Sequence, residues 1–161
     1  MTCQTLSTWV DRDKPIGIAS DHAGFDLKEK IREHLQKLGF QVRDFGTYDR
    51  KRTDYPDFGS ECARAVAKGE CTAGILVCGT GIGMSIVANK VKGVRAALCD
   101  SVTTARLSRQ HNDANILTLG GRIIGVSVAF DIVDTWLSTD FEGGRHARRV
   151  EKIIELDRAD P

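Results

Sequence analysis

The chain has no apolar run long enough to cross a bilayer, and residues 1–13 are polar without an apolar core. Neither a membrane anchor nor a signal peptide is therefore expected. Net charge is also scarce: 23 Lys and Arg stand against 22 Asp and Glu, a formal +1 at pH 7. That balance argues against bulk binding of nucleic acid and leaves charge recognition to local clusters. The five cysteines (Cys3, Cys62, Cys71, Cys78, Cys99) are odd in number and contain no Cys-x-x-Cys pair. Their pattern argues against a disulfide framework and a structural zinc site, and it points to a reducing, cytoplasmic setting. The four histidines show no metal-ligand spacing, so no metal is expected. There is no internal repeat and no low-complexity tract. What remains, 41% hydrophobic and 28% charged residues in 161, is the composition of an ordinary globular protein. We expect one domain over residues 14–161, preceded by a loose extension over residues 1–13.

The chain is organised around residues 74–89, GILVCGTGIGMSIVAN. A short apolar, β-branched run reads as a buried parallel strand ending at Cys78. Gly79, Gly81 and Gly83 then turn the backbone, and Met84 onward reads as a helix. Such a turn aims several backbone N–H groups at one spot, which suits an anion or an oxyanion. A cysteine placed just before those amides is a candidate base or nucleophile.

Further strands are expected over residues 14–20, 41–45, 94–99 and 116–119. Between them, apolar residues recur at helical spacing, beginning with Phe25, Leu27, Ile31, Leu35 and Leu38. Asp57 is the expected N-cap of the helix carrying Cys62 and Val66, and Ser101 to Arg109 forms another helix that ends near His111-Asn112-Asp113-Ala114-Asn115. The alternation predicts an open parallel sheet covered on both faces, with its ligand beyond the carboxyl ends of the strands. That rule gathers Asp21, His22, the segment from Cys78 to Gly83, Asp100, His111, Asn112 and Arg122 at one edge.

Several phosphate- and nucleotide-binding motifs fail. Gly79-x-Gly81 lacks the third glycine of a dinucleotide fingerprint, whose place is taken by Met84, and it follows the third strand rather than the first. No Gly-Lys-Ser/Thr ends the loop, and no arginine within residues 78–85 would clamp a phosphate as a cysteine phosphatase requires. Asp21 and His22 read either as a helix cap or as ligands for a sugar hydroxyl and an anion. His111 reads either as a helix C-cap or as a general acid–base group. His34 reads as a solvated surface residue. Arg145 and Arg149, four apart, form either a solvated basic face or a clamp for a phosphate monoester, with Arg122 as a third contact.

Taken together, five segments carry a resemblance: Ser20-Asp21-His22-Ala23-Gly24, Arg52-Thr53-Asp54-Tyr55-Pro56-Asp57, Cys78-Gly79-Thr80-Gly81-Ile82-Gly83-Met84-Ser85, Ser108-Arg109-Gln110-His111-Asn112-Asp113 and Glu142-Gly143-Gly144-Arg145-His146. In order and spacing the chain resembles the family of type B ribose-5-phosphate isomerases and galactose-6-phosphate isomerase subunits. The resemblance implies a Rossmann-like three-layer α/β/α sandwich with a five-stranded parallel sheet. It also implies a homodimer with sites shared between subunits, acting on a sugar phosphate without metal or cofactor. By the same resemblance Cys78 is the proton-transferring base and His111 helps open the sugar ring. The chemistry of that step needs an acid–base group, and Asp21 is expected to lie near His111 for it. Asp21, His22 and Asn112 hold sugar and phosphate, and Arg122, Arg145 and Arg149 contact the phosphate. The amides of Gly79, Thr80, Gly81, Ile82 and Gly83, with the Thr80 hydroxyl, are expected to stabilise an enediolate. A hexose 6-phosphate (allose or galactose) isomerase of the same family, and a non-catalytic nucleotide- or phosphate-sensing module, are the rival expectations.

Overall fold

A computed structural model describes residues 7–159. Its five-stranded sheet is wholly parallel, in the order β2-β1-β3-β5-β4. The central strands β1 (Ile16–Ser20), β3 (Ala73–Cys78) and β5 (Ile116–Gly120) are buried throughout. Their near-continuous apolar runs are what a strand covered on both faces requires. The edge strands β2 (Val42–Asp44) and β4 (Ala96–Leu98) are shorter and partly exposed.

Alternation along the strands sorts the core into two layers. Ile16 and Ile18 face α1 (Phe25–Lys37), α4 (Val102–Asn112) and α5 (Val126–Leu137), in a cluster with Leu27, Ile31, Leu35, Ile132 and Trp136. Ala19, Leu76 and Cys78 face the other way, towards Cys62, Val66, Met84 and Ala88 of α2 (Tyr55–Ala67) and α3 (Ile82–Ala88). Close approach on this second face needs a small strand residue. A Cβ on Gly17 would lie 2.7 Å from Cys62 Sγ. The last helix, α6 (Arg145–Ala159), leans on α4 and buries His146 and Val150. The expected three-layer sandwich is thus observed.

Three local readings are corrected. Residues 7–13, expected to be part of a loose extension, are packed: Trp9 meets Trp136 edge-on at 5.0 Å, and Val10 joins the core. The Ser7 hydroxyl donates to the Leu137 carbonyl. Residues 1–6 lie outside the described part. Asp57 does not cap α2. The helix begins at Tyr55 after Asp54, because Pro56 with its fixed φ fits the first turn. His34 is not solvated; its ring stacks on Phe130 at 4.2 Å, and Nε2 lies 2.6 Å from Asp134 Oδ1. That contact ties α1 to α5.

Candidate active site

From β1 the chain moves outward to β2, then returns past β1 to β3. The order therefore reverses between β1 and β3, and a crevice opens beyond their carboxyl ends. The crevice, about 400 Å³, is lined by Asp21, His22 and Ala23 after β1 and by Cys78, Gly79 and Thr80 after β3. Ile82, Gly83 and Ile86 of α3, Tyr55 of α2 and Arg122 after β5 complete it.

The glycine loop has the geometry its sequence requires. Gly81 sits at φ 80°, where a side chain would be strained and its Cβ would lie 2.5 Å from Leu98 Cδ1. Its N–H donates to Cys78 Sγ at 3.1 Å, a bond that a sulfur carrying negative charge accepts best. The Ile82 N–H donates to Thr80 Oγ1 at 3.2 Å. Two of the amides expected to face an oxyanion thus serve the loop's own side chains. Cys78, only 4% exposed, still lines the crevice. Cys62, Cys71 and Cys99 lie buried, where desolvation pushes each thiol above its ordinary range.

Asp21 is buried, and its Oδ1 accepts the Gly24 N–H at 2.9 Å, fixing the turn into α1. His22 Nδ1 lies 3.2 Å from both the N and O of Thr53. The ring is thereby held by its inner nitrogen. Arg122 anchors its backbone N–H on the Gly79 carbonyl at 3.0 Å. Its side chain passes Gly79, with Cδ 3.6 Å from where a Cβ would stand.

Tyr55 was missed as a site residue. Its ring covers Gly83, where an added Cβ would come within 2.7 Å of Cζ. The signal was available, since the β2–α2 connection leaves the same carboxyl edge of the sheet.

His111 and Asn112 do not join the crevice. In a parallel α/β fold each helix runs back against the strands. The last turn of α4 therefore sits at the amino edge of β5, at the opposite end of the sheet from Cys78. The expectation that these residues gather with Asp21 is corrected for a single chain. His111 instead stacks on His146, ring centroids 4.2 Å apart and planes 12° apart. The Asn112 carbonyl accepts from Arg95 Nε at 3.1 Å, and Asn112 lines a separate hollow of about 460 Å³ with Arg95, Ile153 and Leu156. Arg145 and Arg149 stand exposed on α6, on one face of its first turns.

Around His111 the fold gathers groups that spacing in sequence does not reveal. Donor atoms of His111, Glu142 and His146 all lie within 4.8 Å of one another. Arg145 Nε, however, donates to His146 Nε2 at 3.4 Å, placing a cation where a metal would bind. Desolvation, then His111 and Arg145, hold the His146 imidazole below its ordinary value.

A chemically equipped crevice at the switch point of a parallel sheet, with a thiol, a carboxylate, an imidazole and a guanidinium around it, defines an α/β enzyme for a small polar substrate. The chain belongs to the Ribose/Galactose Isomerase family, whose model matches residues 16–153. It is 51% identical over 144 residues to ribose-5-phosphate isomerase B of Escherichia coli, covering 89% of this chain and 97% of that one. The structure of ribose-5-phosphate isomerase B from Clostridium thermocellum superposes with a TM-score of 0.90 at 56% identity, covering 91% of this chain and 99% of its own. That from Mycoplasma genitalium, with bound ribulose 5-phosphate, gives 0.88 at 48%, covering 92% and 99%. Among the described residues no helix is long and apolar enough to cross a membrane.

Proposed function

We propose that this protein interconverts D-ribose 5-phosphate and D-ribulose 5-phosphate as a homodimer, in the cytoplasm, without metal or cofactor. The observation that carries the reading is Cys78 lining the crevice, with the Gly81 N–H on its sulfur. Each site of the dimer joins the Cys78 crevice of one chain to the His111, Asn112, Arg145 and Arg149 end of the other. The two sets lie at opposite edges of the sheet in one chain, and a second copy supplies the missing half. The four described cysteines are free, in keeping with a reducing compartment.

The chemistry is a redox-neutral sequence of proton transfers. His111 takes the proton of the C1 hydroxyl and returns one to the ring oxygen as the C1–O bond to that oxygen breaks, giving the open aldehyde. The Cys78 thiolate removes the C2 proton. The C–H electron pair becomes the C1–C2 double bond, and negative charge passes to O1 as an enediolate. The O2 hydroxyl proton moves to O1, the C2 carbonyl forms, and the Cys78 thiol returns its proton to C1. The Thr80 hydroxyl and the loop amides not occupied within the loop stabilise the enediolate. One such donor is typically worth about 2.7–4 kcal/mol. Arg122, Arg145 and Arg149 hold the phosphate, and that binding aligns the reacting carbons. Asp21 and His22, fixed by Gly24 and Thr53, orient the sugar hydroxyls.

The test is turnover of ribose 5-phosphate to ribulose 5-phosphate in the presence of a chelator, wild type against Cys78→Ala. Loss of a general base predicts a fall of about 10²–10⁴-fold in a variant that stays folded. Substantial turnover by a clean preparation of the variant would refute the base assignment. Activity that the chelator abolishes would refute metal independence.

A further inference from the structure

We infer that His146 is a positioning residue for His111, holding its ring in the orientation in which it reaches the sugar. His146 is only 5% exposed, although Arg145, Ala147 and Arg149 beside it on the first turns of α6 are exposed. A polar ring buried at a helix start, on the surface of the fold, needs a reason, and its neighbours supply one.

The segment leading into α6 is fastened to the last turn of α4 at two successive residues. The Glu142 N–H donates to the Gln110 carbonyl at 3.1 Å, and one residue further along α4 the His111 ring lies flat on the His146 ring. Gly143 and Gly144, at φ 65° and 54°, provide the turn between these two contacts. A Cβ at either glycine would meet nothing within 4 Å. They are thus required for the backbone path and not for packing space. The path carries the chain round so that both Glu142 and His146 face α4. The His146 N–H closes the turn on the Gly143 carbonyl at 2.9 Å.

The His146 ring is itself held. Its Nε2 accepts from Arg145 Nε at 3.4 Å, and Glu142 Oε2 lies 3.5 Å from the same nitrogen. One face of His111 therefore rests against a fixed aromatic plate. A side chain at the exposed end of a helix would otherwise sample several rotamers. Acid–base catalysis across a subunit boundary requires the ring to be delivered in one of them, because a small misplacement of the reacting atoms is costly.

This inference rests on the proposed isomerase reading, and its test separates the two. His146→Phe keeps a flat ring without nitrogens, and His146→Ala removes the plate. With ribose 5-phosphate, His146→Ala should lower kcat about tenfold with KM within about twofold, the size of one aromatic stack expressed as a rate. His146→Phe should recover most of the loss. With erythrose 4-phosphate, which has no free hydroxyl able to close a ring, His146→Ala should cost little, because no ring opening is needed. In NMR spectra the His111 ring carbon and proton signals should shift on His146→Ala towards those of an exposed, averaging histidine. They should stay dispersed in His146→Phe. Unchanged His111 signals in His146→Ala, a loss confined to KM, or equal losses on both sugars would each overturn the inference. If the wild type turns over neither sugar, the isomerase reading falls, and the NMR comparison alone decides whether His146 orients His111.

Discussion

Cys78 and His111 lie on one chain but at opposite edges of its sheet, and this makes a quantitative prediction about mixtures. β3, which ends at Cys78, is 6 residues long, so the two edges are separated by about 20 Å at roughly 3.3 Å per residue. No ribose phosphate spans that gap and contacts both groups within one subunit. Take Cys78→Ala and His111→Ala, each expected to be inactive alone. In a dimer of one variant every site lacks the same group. In a mixed dimer one site draws Cys78 from the His111→Ala chain and His111 from the Cys78→Ala chain, and is complete. The other site has neither. Random pairing at equal amounts makes about half of the dimers mixed, each with one working site of two. Activity should therefore return to about one quarter of the wild-type value per chain. Co-expression, or refolding of the mixed variants from denaturant, followed by ribulose 5-phosphate formation, provides the assay. Recovery no larger than the sum of the two separate variants would refute a shared site and require His111 to act elsewhere.

Two further predictions concern the glycine loop and its thiol. With iodoacetamide and peptide mass spectrometry, Cys78 should be modified before Cys62, Cys71 and Cys99, because it lines the crevice with the Gly81 N–H on its sulfur while desolvation favours the protonated form of the other three. Ribose 5-phosphate should slow that modification, and faster labelling of Cys62, Cys71 or Cys99 would contradict the expected order of reactivity. Gly81→Ala combines a left-handed φ with a Cβ 2.5 Å from Leu98 and 2.9 Å from the Leu119 backbone. A cost of at least about 2 kcal/mol is expected. Thermal melting should register it as a fall of about 4–8 °C, and an unchanged melting temperature would show that the loop accommodates the methyl group.

The sheet was legible because its signals are local. The apolar runs of β1, β3 and β5 and the glycines that follow α1, α2 and β3 mark alternation without reference to distant residues. The Cys78 loop was legible for the same reason. His111 was recognisable as a candidate through the resemblance, but its position was not, since the carboxyl-edge rule applies to residues following strands. His111 lies at the far end of a helix, on the last turn of α4 before Asn112. Which helix face meets a neighbour is equally non-local. Nothing adjacent to His34 announces Phe130 and Asp134, about a hundred positions away, and nothing around His111 announces Glu142 and His146. Trp9 and Val10 were obscured by the polar residues surrounding them, although each alone suggests burial.

Arg109 gives the first turns of the chain an unexpected importance. This arginine is 1% exposed, its guanidinium carbon lies 3.6 Å above the Trp9 ring, and its nitrogens reach the carbonyls of Ala114 and Thr139 and the carboxylate of Asp113. It sits two residues before His111, on the same last turn of α4. Trp9 is thus one wall of the socket that steadies the helix end carrying His111. The opening segment works as a splint, and a shortened chain beginning at the first strand would deliver His111 from a helix end left free to bend.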